Sequence, residues 1–249
     1  MSNETIPAAT LILIRETGGS APEILMVERA GGMSFAAGAW VFPGGRVDPL
    51  DVALATALGL GEADSLRLAA IRETLEECAI PVGIEPAPSP QLARQMQHEL
   101  LHGNDLETVL VRHELDLVLN ALIPLARWIP PLEVSRRFDT TFFVALMNDG
   151  DRVPNIIDTE CTAARWVTAR EMLRQEEARQ AALIYPTRKN LERLAQFDSF
   201  TAILDHVAAH PLIPITAAEE VQHGQRFVTI PEGRGYPITR DPIDRVKRA

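Results

Sequence analysis

The sequence predicts a layered domain of the α/β or α+β class, in which strands and helices are interspersed. Short apolar runs bounded by glycine and proline recur along the chain, and segments with apolar residues at helical spacing lie between them. Of the 249 residues, 46% are hydrophobic and 23% are charged, so a buried core is expected. We therefore expect a single domain over residues 1–249.

The first third of the chain contains three predicted strands and two predicted helices. The strands lie at 8–15, 23–29 and 40–42, and the helices at 49–58 and 64–79. The stretch Pro43-Gly44-Gly45-Arg46 after the third strand is expected to be a loop. For the second helix, Asp64 or Ser65 is the expected N-cap and Pro81 the stop signal.

The rest of the chain begins with an insertion at 86–121, where three prolines introduce two or three short helices. It is short for an independent core, so we interpret it as a helical cap on the domain. Further predicted elements are strands at 126–129, 140–147 and 164–167 and helices at 169–180, 187–196 and 199–209. A proline-rich, irregular tail follows at 212–249, with edge strands expected at 213–217 and 226–230.

The composition also limits the partners and the compartment. A formal net charge of −10 disfavours nucleic acid and anionic membranes as partners, and an anionic substrate would need a metal cation to mediate its binding. Two widely separated cysteines fit a reducing compartment better than a disulfide framework. The first residues lack the pattern of a signal peptide, and no apolar run is long enough to span a membrane. We expect a cytoplasmic protein.

The most informative stretch is Ala69-Ala70-Ile71-Arg72-Glu73-Thr74-Leu75-Glu76-Glu77-Cys78-Ala79-Ile80. Carboxylates three and four residues apart on a helix face one another and destabilise it unless solvent or a cation compensates them. Glu73, Glu76 and Glu77 would offer hard oxygen ligands suited to Mg²⁺ or Mn²⁺. Arg72, four residues before Glu76, could hold a carboxylate in a metal-binding position.

This stretch resembles the second half of the box of the Nudix hydrolases, G-x5-E-x7-R-E-U-x-E-E-x-G-U, where U is apolar. Phe42-Pro43-Gly44-Gly45 is similar to the strand and loop that open the box. The resemblance implies an α/β/α sandwich around a mixed curved sheet and metal-dependent hydrolysis of a nucleoside diphosphate derivative. It assigns metal binding and base formation to Glu73, Glu76 and Glu77, with Arg72 orienting them. Homodimers are common in the family, although the sequence identifies no interface.

The box departs from the family pattern at three positions. Gly45 and Arg72 are 72 − 45 = 27 positions apart, where the family has 14, so 13 extra residues split the box. Counted back from Arg72, the first acid falls on Asp64, with Glu62 nearby. Ala79 replaces the usual glycine, and a left-handed conformation there would cost about 1 kcal/mol.

Other candidate site residues come from loops. In the family a further glutamate often lies ahead of a late strand, and Glu160 is the candidate here, with Asp158 beside it. Gly44, Gly45, Arg46 and Arg137 are candidate substrate-binding residues, and Arg136 is an alternative partner for a substrate phosphate.

The split box and the phrase Arg136-Arg137-Phe138-Asp139-Thr140-Thr141-Phe142-Phe143 resemble the acyl-CoA diphosphatases known from peroxisomes. Tyr185-Pro186-Thr187, followed by Leu191 and Leu194, adds to this resemblance, which extends over about residues 8–209. CoA or acyl-CoA is then the expected substrate. ADP-ribose, NADH or another nucleoside diphosphate derivative stays open, as does a non-catalytic nucleotide-binding or regulatory domain.

A competing motif lies in the insertion. His98-Glu99-Leu100-Leu101-His102 fits the H-E-x-x-H pattern of zinc metalloproteases. It fixes only three positions, and the extended form with a glycine and a third histidine is absent from the sequence. We therefore interpret His98 and His102 as solvated surface residues.

Overall fold

The computed structural model describes residues 5–18, 21–32, 36–131, 137–147, 152–157 and 160–246. The strands are β1 (Ile6–Arg15), β2 (Glu23–Arg29), β3 (Trp40–Val41), β4 (Gly44–Arg46), β5 (Ile84–Glu85), β6 (Asp116–Leu117), β7 (Ile123–Trp128), β8 (Phe138–Leu146), β9 (Cys161–Thr168), β10 (Ala218–Gln222), β11 (Gln225–Thr229) and β12 (Arg240–Pro242). The helices are α1 (Pro49–Ala57), α2 (Glu62–Cys78), α3 (Pro90–Leu101), α4 (Leu106–Arg112), α5 (Ala169–Glu177), α6 (Tyr185–Leu194), α7 (Phe200–Ala209) and α8 (Ile243–Val246).

A seven-stranded mixed sheet forms the centre of the molecule. Its main path runs β3-β2-β1-β8-β7, while β4 pairs with β1 and β9 with β2. β1 and β8 are parallel over nine residue pairs, and the other pairings in this sheet are antiparallel. The predicted α/β architecture around a mixed sheet is confirmed.

Alternating apolar residues place helices on both faces of this sheet, because successive side chains of a strand point to opposite sides. Leu11 and Leu13 of β1 belong to the core beneath α1, α2, α3 and α4. Ile12 and Ile14 belong to the core on the other face, beneath α5, α6 and α7. Both cores therefore depend on the same central strands.

α2 begins two residues earlier than the sequence predicts. Gly61 is the N-cap, and Asp64 lies in the first turn, where its carboxylate accepts a hydrogen bond from the Gly61 amide at 3.4 Å. The helix ends at Cys78 because Ala79 adopts the left-handed conformation, with φ 54° and ψ 35°. The predicted strain at Ala79 is therefore present. It costs about 1–2 kcal/mol for a residue with a Cβ.

The segment after β3 is not the loop that the sequence predicts. Gly44–Arg46 forms the strand β4, since its backbone pairs antiparallel with Ala8 to Thr10 of β1. Two glycines give this segment no strand propensity of its own, and the pairing partner lies more than thirty residues earlier in the chain. The tertiary contact overrides the local signal.

The insertion contains α3, α4 and a short 3₁₀ helix at Leu119–Ala121, as predicted. Its strand β6 pairs with β5, which lies directly before the insertion, in a two-stranded sheet that the sequence did not predict. Ser89 caps α3 and Asp105 caps α4 through their side-chain oxygens.

The tail is more regular than the sequence predicts. The expected strand at 213–217 is wrong: Ile215 makes only one bridge to Trp128. The strand expected at 226–230 is confirmed as β11, and it lies between β10 and β12 in a three-stranded sheet. No helix among the described residues is long and apolar enough to cross a membrane.

Candidate active site

The last two turns of α2 bring three glutamates together. Glu73 and Glu76 each accept a hydrogen bond from the Arg72 guanidinium at 2.9 Å. Glu77 points toward β4 and is almost fully buried, and its carboxylate accepts a hydrogen bond from the Gly44 amide at 3.1 Å. The helix spacing alone makes them neighbours, and Arg72 and Gly44 hold them in place from two sides.

The two glycines of β4 are required by close packing. A Cβ on Gly44 would lie 2.4 Å from the Ala9 carbonyl oxygen, and its φ of +151° already disfavours other residues. A Cβ on Gly45 would lie 2.4 Å from Oε1 of Glu73. Gly45 therefore lets the strand approach the carboxylate, which is the contact expected of a backbone that lines a site.

Asp51, the partner that anchors Arg72, is not among the site residues predicted from the sequence. Asp51 is 2% exposed and accepts two hydrogen bonds from Arg72, at 3.0 Å from Nε and 2.9 Å from a terminal nitrogen. The signal was available. Counted forward from Gly45, the pattern G-x5-E places the first acid at 45 + 6 = 51, whereas the backward count from Arg72 gave 72 − 8 = 64.

Asp64 is accordingly not the first acid of the box. Its carboxylate pairs with Arg67 at 2.8 Å in the first turn of α2, about 12 Å along the helix from Arg72. Glu62 is exposed at the start of the same helix. Asp51 and Arg72 are 21 positions apart, where the family pattern has 8, so the 13 extra residues fall between Asp51 in α1 and Arg72 in α2.

The other residues predicted for the site are Glu160, Arg46 and Arg137, and they differ in their relation to the three glutamates. Glu160 is exposed just before β9, and its charge adds to the larger effect of burial in raising the pKa of both Glu73 and Glu77. The Arg46 carbonyl oxygen accepts a hydrogen bond from Arg72 at 3.1 Å, and its side chain is exposed. Arg137 lies at the start of β8, where its Nε donates to the Pro130 carbonyl oxygen. Arg136 and Asp158 lie outside the described residues.

Burial and mutual repulsion make this a high-energy group of carboxylates. Burial, opposed by Arg72 and reinforced by the charge of Glu73, raises the pKa of Glu76 to about 7. Burial also raises the pKa of Glu73, and it raises that of Glu77 well above its ordinary value. Burial alone would lower the pKa of Arg72, but its three acidic partners raise it overall. A positive charge placed among these oxygens would be stabilised.

The donor chemistry fits a divalent cation. Within the described part of the chain, one oxygen of each of Glu73, Glu76 and Glu77 accepts a protein hydrogen bond and the other accepts none. Carboxylate oxygens are the ligands that Mg²⁺ and Mn²⁺ prefer. Among the described residues, no three acidic, histidine or cysteine side chains already surround one point as a finished coordination sphere. Binding would require carboxylates to turn from Arg72 toward the ion.

A cavity of about 230 Å³ opens beside Arg72 and Glu76. Leu50, Asp51 and Leu54 of α1 form one wall, and residues 103–107 of the connection between α3 and α4 form the other. The first wall includes Asp51, the acid that anchors Arg72, and the second belongs to the insertion at 86–121. The insertion therefore contributes directly to the shape of this cavity.

The H-E-x-x-H motif does not form a zinc site. Glu99 is engaged by Arg112 at 2.8 Å and His113 at 3.1 Å. His98 and His102 are exposed and stack on each other with ring centroids 3.8 Å apart. The interpretation as surface histidines is supported.

One family model and several solved structures are similar to this chain. The family model described as NUDIX domain matches residues 5–187. A Nudix hydrolase from Alicyclobacillus acidocaldarius is 28% identical with a TM-score of 0.71, covering 81% of this chain and 96% of that chain. A MutT protein from Methanosarcina mazei Go1 is 16% identical with a TM-score of 0.46 over 79% and 96% of the two chains. An Ap4A hydrolase from C. elegans is 20% identical with a TM-score of 0.42 over 81% and 98%.

Proposed function

Since the chain belongs to the Nudix family of pyrophosphohydrolases, which generally cleave nucleoside diphosphate derivatives with divalent metals, we propose that it hydrolyses the diphosphate of CoA or acyl-CoA with Mg²⁺ or Mn²⁺. The observation that carries the proposal is the group of Glu73, Glu76 and Glu77 with Arg72 anchored by Asp51. This group keeps the three glutamates to which the family resemblance assigns metal binding. The resemblance of the split box and of residues 136–143 to acyl-CoA diphosphatases supports the choice of CoA.

In this proposal, the residues of the chain bind the metal, orient the reacting groups and accept a proton. Glu73, Glu76 and Glu77 would hold the ions, and Arg72 would keep Glu73 and Glu76 in position. A bound divalent ion would neutralise the diphosphate and acidify the attacking water. The water adds to one phosphorus, the bond from that phosphorus to the bridging oxygen breaks, and Glu73 or Glu160 accepts the proton. The two products are phosphomonoesters.

The cavity between α1 and the α3–α4 connection supports a role of the insertion in substrate choice. Its lining includes Asp48, Asp105 and Glu107, whose charges would repel a phosphate. We assign the uncharged pantetheine arm to this side. The adenosine 3′-phosphate would then lie elsewhere, and Arg46, Arg137 and Arg136 are the candidates to bind it.

Product analysis on a substrate panel tests the proposal. CoA, acyl-CoA, ADP-ribose, NADH, dinucleotides and nucleoside triphosphates would each be incubated with Mg²⁺ or Mn²⁺ and analysed by mass spectrometry. We expect a phosphopantetheine fragment and adenosine 3′,5′-bisphosphate from CoA. Cleavage of ADP-ribose or NADH with CoA left intact would refute the substrate. Tight binding across the panel without turnover would instead favour a non-catalytic domain.

Variants of α2 serve as the internal control of that assay. Loss of a residue that bonds a metal ligand typically costs roughly 10- to 100-fold in activity. Because Glu76 and Glu77 would bind the metal directly, Glu76→Gln and Glu77→Gln should each lower kcat by more than that. Glu99→Gln and His98→Ala, in the competing motif, should leave it unchanged. The assignment fails if Glu76→Gln and Glu77→Gln retain full metal-dependent activity while folding normally by circular dichroism.

A further inference from the structure

The carbonyl groups at the end of α2 are bonded by two segments distant in sequence. A helix leaves its last four carbonyl groups without partners of its own. Here the Glu76 carbonyl oxygen accepts a hydrogen bond from Nε2 of Gln97 in α3 at 2.9 Å. The Cys78 carbonyl oxygen accepts one from the Asn155 amide at 2.8 Å. The turn that carries Glu76 and Glu77 is therefore held from outside the helix.

Gln97 and Asn155 also bond each other in both directions. Nε2 of Gln97 donates to the Asn155 carbonyl oxygen, Nδ2 of Asn155 donates to Oε1 of Gln97, and both distances are 2.8 Å. Gln97 is fully buried, at 0% exposure. Both hydrogens of its amide group are used, so its orientation is fixed by three hydrogen bonds in a water-poor environment.

The pair connects the two parts of the candidate site. Gln97 comes from the insertion and bonds the backbone of Glu76, while Asn155 lies five positions before Glu160 on the segment leading to β9. The hydrogen bonds of Gln97 therefore join the backbone of Glu76 to Asn155, which lies on the same segment of the chain as Glu160. Packing of α3 on α2 alone would not need a polar side chain here, and a buried amide costs free energy unless it is satisfied.

We propose that Gln97 and Asn155 are positioning residues, which set the place of Glu76 and Glu77 relative to Glu160. The inference rests on the proposed function, because it gives these glutamates the task of holding a divalent ion. It also gives the insertion a second role, since α3 would fix the metal-binding helix in addition to shaping the cavity. Neither residue touches the reacting atoms in this proposal.

The test compares loss of all three hydrogen bonds of Gln97 with loss of one of them. Gln97→Met keeps length and volume without hydrogen bonds, and Gln97→Asn shortens the reach to the Glu76 and Asn155 carbonyl oxygens. Asn155→Leu removes only the side-chain bond to Oε1 of Gln97 and leaves the backbone bonds of Asn155 to Gln97 and Cys78 in place. Gln95→Met is the matched control, because Gln95 is on the exposed face of α3, where it bonds only Glu99 among the described residues.

Each variant would be measured for Mn²⁺ affinity by electron paramagnetic resonance without substrate, for kcat and KM, and for melting temperature. We expect each single change to weaken Mn²⁺ binding and lower kcat about 10- to 100-fold with KM nearly constant. Asn155→Leu should lose less of both than Gln97→Met, because it keeps two of the three hydrogen bonds of Gln97, and Gln95→Met should match the wild type.

Lower melting temperatures with unchanged Mn²⁺ affinity and kcat per folded molecule would overturn the inference and leave a structural role. The same holds if Asn155→Leu weakens Mn²⁺ binding more than Gln97→Met does. If the wild type binds Mn²⁺ but cleaves no substrate, the proposed function fails while the Mn²⁺ affinities still decide the inference. If it does neither, both fail. Should Gln97→Met not fold, the comparison of Gln97→Asn with Asn155→Leu gives the answer.

Discussion

Gly45 determines how closely β4 can approach the carboxylate of Glu73. Its backbone conformation is open to other residues, so only the contact of its missing Cβ with Glu73 requires glycine here. The atom it would meet is the far end of a flexible side chain. An added methyl group should therefore displace the carboxylate with little cost to the fold.

Gly45→Ala should lower kcat about 100-fold, the order of loss for a 1 Å misplacement, while the melting temperature changes by only about 1–2 °C. Gly31→Ala is the control, because a Cβ on Gly31 would meet no atom within 4 Å. Steady-state kinetics and thermal unfolding measure the two effects separately. Wild-type activity in Gly45→Ala would show that Glu73 does not need its present position.

Between elements, the contact that matters most is the ion pair joining α1 to α2. The Asp51 carboxylate also accepts a hydrogen bond from the Asp48 amide at 2.8 Å, so the first turn of α1 and Arg72 share one acid. Because Asp51 is buried, removing its charge leaves Arg72 under-compensated inside the protein. Asp64 makes a similar pair with Arg67, but in a more exposed place.

Asp51→Asn should reduce the free energy of unfolding of the metal-free protein by about 2–4 kcal/mol, and it should lower activity by releasing Arg72. Asp64→Asn should cost about 1 kcal/mol or less and leave activity unchanged. Urea unfolding and kinetics on both variants provide the comparison. If Asp51→Asn and Asp64→Asn changed activity equally, Asp51 would have no special role in holding Arg72.

At the scale of the whole molecule, the C-terminal tail packs on α6, a helix whose charged side chains are buried. α6 is buried along residues 187–194, where Lys189 is 0% exposed. Lys189 pairs at 2.9 Å with Asp241, which is 1% exposed and comes from β12. Tyr185 donates a hydrogen bond to the same carboxylate at 3.2 Å. The tail therefore contacts α6 through an ion pair that is buried from solvent.

Asp241→Asn should destabilise the protein by about 3 kcal/mol, because it leaves a buried ammonium group without one of its two acids. Glu219→Gln, in an exposed pair with Arg226 on the hairpin of the same tail sheet, should change stability by less than about 0.5 kcal/mol. Chemical denaturation measures both. A small effect of Asp241→Asn would imply that Glu192 alone compensates Lys189.

The sequence alone was sufficient wherever the physics is local. The spacing of Glu73, Glu76 and Glu77 follows from helix geometry, and the short apolar run that includes Leu11 to Ile14 predicts the strand that became β1. Ala79 was recognised as a strained position for the same reason, since a helix end has a known conformational need.

Only the tertiary structure decided which distant residues meet. Asp51 reaches Arg72 across 21 positions, and Gln97 reaches Glu76 across another 21, which include β5. Gly44–Arg46 is a strand only because β1 offers its edge. Contacts of this kind depend on how packed elements align in space. The sequence by itself therefore determined the acidic helix and its chemistry, and the packing of the chain determined what holds that helix and what reaches it.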